Sequence, residues 1–193
     1  MDSRFRLFGV LGASFTAIIT LGLLYGNFGR TVHQAALPPA VLDKLKRVVE
    51  SPLAPDANFV DKAGNEVKLA DFRGRYVLVN LWATWCGPCI TELPALERLN
   101  AALPQDRITV VPVDVLERLD AEKVSEFLAM HGAGALPVYI DRAYSVQRGF
   151  VANELPLTVL IDDKGRIVAR AAGAQEWDHP EAVAYLKAVS AAP

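Results

Sequence analysis

The run YVLVNLW, Tyr76 to Trp82, constrains this chain more than any other stretch: it is apolar or aromatic at every position but Asn80. A strand covered on one face alternates apolar with polar residues, so an unbroken run reads as a strand buried on both faces. Directly after it comes ATWCGPCITELPALERL, in which Leu93, Leu96 and Leu99, with Leu103 beyond, share one helical face; a helix is expected from Pro88 to about Ala102. The same alternation continues. NFVDKAGNEVKL reads as a hairpin around Ala63-Gly64-Asn65, ITVVPVDV (Ile108 to Val115) as a strand, and residues 120–131 as a helix capped by Asp120. PVYID reads as a short strand, LTVLID and RIVARA as a hairpin around DKG, and Pro180 to Ala191 as a last helix. The pattern predicts an α/β fold, a mixed sheet flanked by helices with an N-terminal β-hairpin extension.

At 193 residues, 52% hydrophobic and 22% charged, the chain suits one globular domain with extra segments. Its 20 Lys and Arg against 22 Asp and Glu leave no basic surplus for nucleic acid. Leu7 to Tyr25 carry no charge, and nineteen residues of helix reach about 28 Å, close to the hydrocarbon thickness of a bilayer. This is a spanning helix or a long signal peptide. The run exceeds the usual 7–15 residues of a signal peptide, and only a poor cleavage site lies near Ala35, which favours an uncleaved anchor. The expected organisation is residues 1–30 as one N-terminal transmembrane helix, 31–55 as a tether, and 56–193 as the α/β domain. Within the tether, Val41, Leu45, Val48 and Val49 are spaced for a short amphipathic helix between Pro38-Pro39 and Pro52, either lifting the domain off the membrane or packing on it.

Cys86 and Cys89 are the only cysteines. They form a metal half-site, a static staple or a redox pair. Structural zinc needs four ligands, and His33, His131 and His179 are scattered singles. A staple closing so short a loop restrains little of the unfolded chain. Two-coordinate Cu(I) binding stays open. A redox pair fits the location best, because Cys86 falls where a buried strand gives way to a helix. Unpaired N–H groups and the positive helix dipole there favour a thiolate, making Cys86 the expected nucleophile. Cys89, nearly a turn further on, is the expected resolving thiol. Gly87 and Pro88 suit the tight turn and the first helical turn between them.

WATWCGPC at such a turn resembles the thioredoxin superfamily, and VLVNLWATWCGPCITELP resembles the TlpA/ResA/CcmG group of membrane-anchored thiol-disulfide oxidoreductases. The resemblance runs over roughly residues 55–190, with ELPLTVLIDDKGRIVAR and a tail, GAQEWDHPEAVAYLK, that leans toward TlpA. It implies a thioredoxin-like fold in which Pro156 is the cis-proline facing the cysteines, and Leu155 pairs its backbone with a bound substrate strand. Leu136-Pro137 is assigned as trans. The resemblance gives Glu92 a role beneath the site, where a part-buried carboxylate one turn from Cys89 takes that thiol's proton; a solvated helix residue is the alternative. Trp85, Gly87 and Pro88 would form docking surface, and Trp82 core. Asn80 stands where thioredoxins have a buried Asp, so proton handling falls to Glu92 or water. Leu157 stands where the group more often has Thr.

The function implied is a reductase in the bacterial inner membrane, its domain in the periplasm, keeping client cysteines reduced. Implied clients are a copper chaperone, an oxidase subunit or apocytochrome c; the implied electron donor is a membrane protein of the CcdA/DsbD type. No cofactor or metal is required, and a monomer is expected. The alternatives are a Cu(I) chaperone and a disulfide oxidase or isomerase. Asp114 is read as a solvated loop carboxylate, His131 as a helix cap, and Trp177 and His179 as packing and surface residues.

Overall fold

A computed structural model describes residues 37–191. The expected anchor, residues 1–30, lies outside them. Among the described residues no helix is long and apolar enough to cross a membrane.

Eight strands form one mixed sheet: β1 (Leu45–Arg47), β2 (Asn58–Asp61), β3 (Glu66–Lys68), β4 (Tyr76–Trp82), β5 (Ile108–Asp114), β6 (Tyr139–Ile140), β7 (Leu157–Ile161) and β8 (Ile167–Ala172). Their order across the sheet is β1-β8-β7-β4-β5-β6-β2-β3. The helices are α1 (Gly87–Ala102), α2 (Ala121–Met130), α3 (Ser145–Gly149) and α4 (Pro180–Ala191). β4 lies centrally, parallel to β5 and antiparallel to β7, and every residue from Val77 to Trp82 is buried. Alternate residues of that strand feed two apolar layers. Leu78 and Trp82 join Leu93, Leu96 and Leu99 of α1 and Leu186 of α4. Val77, Val79 and Leu81 join Phe72, Val146 and Phe150 on the opposite face. Truncating a fully buried side chain such as Leu96 to alanine costs about 2–5 kcal/mol, which sets the scale on which either layer holds the sheet.

The segment before residue 55 departs from expectation. In place of an amphipathic helix there is one 3-10 turn, Ala40–Leu42, and then β1, antiparallel to β8. Leu42 and Leu45 are buried while Val49 is 96% exposed, so the helical stripe that the spacing suggested is not the surface the chain uses. Pairing with β8 instead satisfies the backbone and sends Leu45 into the core with Lys44 and Lys46 outward. The short helix α3 has no counterpart in the sequence reading. The expected hairpin β2-β3 forms, Phe59 lying opposite Val67, with Gly64 at φ 84° supplying the left-handed turn residue.

Candidate active site

β4 ends at Trp82, and the chain turns through Ala83, Thr84 and Trp85 into α1, whose N-cap is Cys86. Cys86 and Cys89 are joined by a disulfide, with the Cys89 N–H donating to Cys86 Sγ at 3.3 Å. Cys86 is 5% exposed and Cys89 not at all. A thiolate released at position 86 therefore sits where the first-turn N–H groups and the positive helix end stabilise it, and the other sulfur stays shielded. Leu155-Pro156 is the cis peptide bond among the described residues, and Leu136-Pro137 is trans. A groove of about 380 Å³ over the disulfide is lined by Trp85, Cys86, Gly87, Pro88, Leu116 and residues 152–155. Trp85 is 63% exposed beside it, whereas Trp82 is buried.

Glu92 is 3% exposed and gathers three donors. Asn80 Nδ2 donates to its Oε1 at 2.7 Å; the Gln175 N–H at 3.1 Å and Trp177 Nε1 at 3.0 Å donate to Oε2. Burial raises its pKa, the three donors pull it back, and the balance is about 7. An ionised carboxylate has about four acceptor positions, so three donors leave one where a proton can land without breaking the cradle. Asn80 also donates to Thr158 Oγ1 at 2.9 Å, which fixes its amide between β7 and α1. A second cleft, about 410 Å³, is lined by Asp43, Lys44, Thr91, Glu92 and Gln175 among others, so this acid borders solvent away from the disulfide groove.

One sequence reading is extended here and one corrected. Trp177 is wholly buried, as a packing residue should be, and its indole N–H also donates to Glu92 across 85 positions of chain, a role the sequence reading missed. The available signal was that a buried Trp must find an acceptor and a buried Glu must find donors. Asp114 is not a solvated loop carboxylate but the fully buried last residue of β5, and neither of its oxygens has a hydrogen-bond partner. Burial, and then neighbouring Glu117, push its pKa up to about 9. Glu117 itself accepts from Thr84 N at 2.6 Å and Thr84 Oγ1 at 2.7 Å, tying the loop after β5 to the turn before Cys86. His131 is the C-cap of α2, its Nδ1 2.8 Å from Phe127 O.

A sheet of this order, with a bonded Cys-x-x-Cys pair at a strand-to-helix turn and a cis-proline in the next element of the site, defines a thioredoxin-like protein built for thiol-disulfide exchange. The Redoxin family model matches residues 49–186. Thiol-disulfide oxidoreductase ResA of Bacillus thuringiensis (strain Al Hakam) is 30% identical over 175 residues, 90% of this chain and 94% of that one. ResA of Geobacillus kaustophilus is 35% identical over 115 residues, 59% of this chain and 64% of its own length, under two thirds of that relative. A crystal structure assigned as thiol:disulfide interchange protein DsbE from Chlorobium tepidum aligns with TM-score 0.62 at 27% identity, over 72% of this chain and 96% of its own. The chain belongs to the Redoxin family and is a homologue of the ResA thiol-disulfide oxidoreductases.

Proposed function

We propose that this thiol-disulfide oxidoreductase works as a reductase, and the observation that carries the reading is the Cys86–Cys89 pair at the start of α1 with the buried, hydrogen-bonded Glu92 about one turn beyond it. In the reduced protein the Cys86 thiolate attacks a client disulfide. One client sulfur leaves as a thiolate and takes a proton, and Cys86 is left in a mixed disulfide. Glu92 accepts the Cys89 proton, and the Cys89 thiolate attacks Cys86 Sγ. The mixed bond breaks, the second client thiol leaves, and the Cys86–Cys89 disulfide observed here forms. Two electrons pass to the client. Trp85, Gly87, Pro88 and the Leu155-Pro156 edge receive the client segment along the groove.

The wider setting belongs to the same proposal. Residues 1–30 hold the domain at the periplasmic face of the inner membrane, where disulfides accumulate unless removed. The clients are cysteines that must stay reduced during cytochrome c or oxidase copper-site assembly, and a membrane dithiol donor of the CcdA/DsbD type restores the protein. The relatives named thiol-disulfide oxidoreductase ResA and thiol:disulfide interchange protein DsbE support the exchange chemistry on which this setting rests. The test is the reduction potential of the full-length protein equilibrated against glutathione and dithiothreitol buffers. A value near or below about −220 mV is expected; one above about −150 mV overturns the reductase and makes the protein a disulfide donor.

A further inference from the structure

The groove over Cys86 does not end at Leu155. Asn153 and Glu154 also line a second groove of about 340 Å³, which continues over Leu157 and is bordered by Lys44, Lys46 and Arg170. We propose that this continuation is a basic subsite selecting client segments that carry carboxylates close to the reactive cysteine. The proposal rests on the reading of Cys86 as the residue that meets the client.

Lys46 and Arg170 are direct register partners in the antiparallel β1-β8 pair, and Lys44, just before β1, lines the same groove. Like charges set directly opposite each other in a sheet destabilise it. Their hydrogen bonds go to the carbonyl oxygens of Ala174 (3.2 Å), Asp43 and Phe150 (2.5 Å), and among the described residues none of them is in a salt bridge; Glu154 is the one carboxylate lining this groove with the three cations, and Lys44 also faces Glu92 across the other cleft. A carbonyl orients a cation without cancelling its charge. Lysine on an edge strand is a common guard against strand pairing, and that accounts for Lys46. It does not account for Arg170, because β8 is an interior strand covered by β1. Arg170 instead holds Phe150 O at the start of the loop that leads to Leu155, so the charge and the client edge are built together. That loop is held in an uncommon shape, with the β-branched Val151 at φ 53°, and such backbone strain concentrates at ligand clamps. The patch also runs against a chain whose net charge is −2. An extended peptide with its cysteine at Cys86 and its chain passing Asn153 and Glu154 would bring its flanking residues over these cations; acidic flanks complement them and basic flanks do not.

The experiment uses the full-length Cys89→Ala protein with Cys86 converted to a mixed disulfide with thionitrobenzoate. Peptides with one cysteine and acidic, neutral or basic flanks attack Cys86 Sγ, and thionitrobenzoate leaves as the coloured thiolate. Each rate is divided by the same peptide's rate with the free aromatic disulfide, which removes differences in thiol reactivity. The acidic peptide should react about tenfold faster than the neutral one at low salt. The ratio should fall toward one at about 1 M salt, where the screening length is about 3 Å. Lys46→Glu, an exposed change on the edge strand, should abolish or reverse the preference. Equal normalised rates for all three peptides overturn the basic subsite and leave the oxidoreductase reading intact. Failure of every peptide to displace the label overturns both.

Discussion

Two carboxyl groups are buried near the same end of the sheet, and they have been given opposite surroundings. Glu92 receives three hydrogen bonds and has a pKa of about 7. Asp114, with no partner for either oxygen and an acidic neighbour, is pushed up to about 9. Burial is the leading cause in both, so the difference lies in the donors that surround Glu92 and the acidic Glu117 beside Asp114. Removing water makes an acid reluctant to ionise; returning part of the lost solvation as fixed N–H groups brings its titration into the range where thiols exchange protons. A buried acid without donors stays protonated and silent at neutral pH.

The sharpest way to break this contrast is Glu92→Gln. Release of a mixed disulfide by Cys89, followed by stopped-flow at pH 7, should slow about a hundredfold, and the inflection near pH 7 should vanish. Asp114→Asn should change that rate less than about threefold. A similar loss in both variants would mean that burial alone, and not the donor set, makes an acid useful here.

Asp114→Asn should act on stability instead. The folded pKa lies above the unfolded value of 3.8, so between about pH 4 and 9 the folded state holds a proton the unfolded chain has lost, and stability falls as pH rises through that window. At about 1.36 kcal/mol per unit, the linkage sets a ceiling of roughly 4 kcal/mol at pH 7. Burying the Asn amide offsets part of it, and a gain of about 2 kcal/mol is expected. Thermal unfolding at several pH values checks this: the variant should be less stable by about 1–2 kcal/mol at pH 4, match the parent between about pH 5 and 6, and gain toward pH 9. Next in size, Trp177→Phe deletes one donor from Glu92 and should move the inflection upward; for a tenfold weaker acid the resolving step should slow about five- to eightfold between pH 7 and 6.5. Smallest is Thr84→Val, which leaves Glu117 one side-chain donor short and should cost about 0.5–1.5 kcal/mol of stability in urea unfolding while the pH profile holds.

Long local patterns in the sequence carried most of the fold. Tyr76–Trp82 and the leucines of α1 each repeat a period over enough residues to fix element and buried face together, and α4 spans the residues expected of it. β1 and α3 are three and five residues long, too short to show any period. Around β1 the spacing of Val41, Leu45, Val48 and Val49 imitated a helix, yet only Leu45 of the four is fully buried. The cysteine pair was legible because its chemistry depends on neighbours in sequence. Pro156 needed family resemblance, since no local pattern marks its peptide bond. The rest of the site depends on contacts between distant segments: Asn80, Glu92 and Trp177 meet only after β4, α1 and the loop before α4 have packed. Asp114 was misread because a carboxylate at the end of an apolar run gives no sign of whether the sheet continues around it.

The indole that holds Glu92 carries a further consequence. Trp177 is fully buried, and its ring N–H points at a carboxylate whose charge changes near pH 7. The electric field across the ring therefore switches with that one proton, in a place water does not blur. Trp177 is an optical gauge set against the proposed proton acceptor: its emission should follow the acid's titration, and if Glu92 takes the Cys89 proton during turnover, the emission should report its arrival and departure in real time.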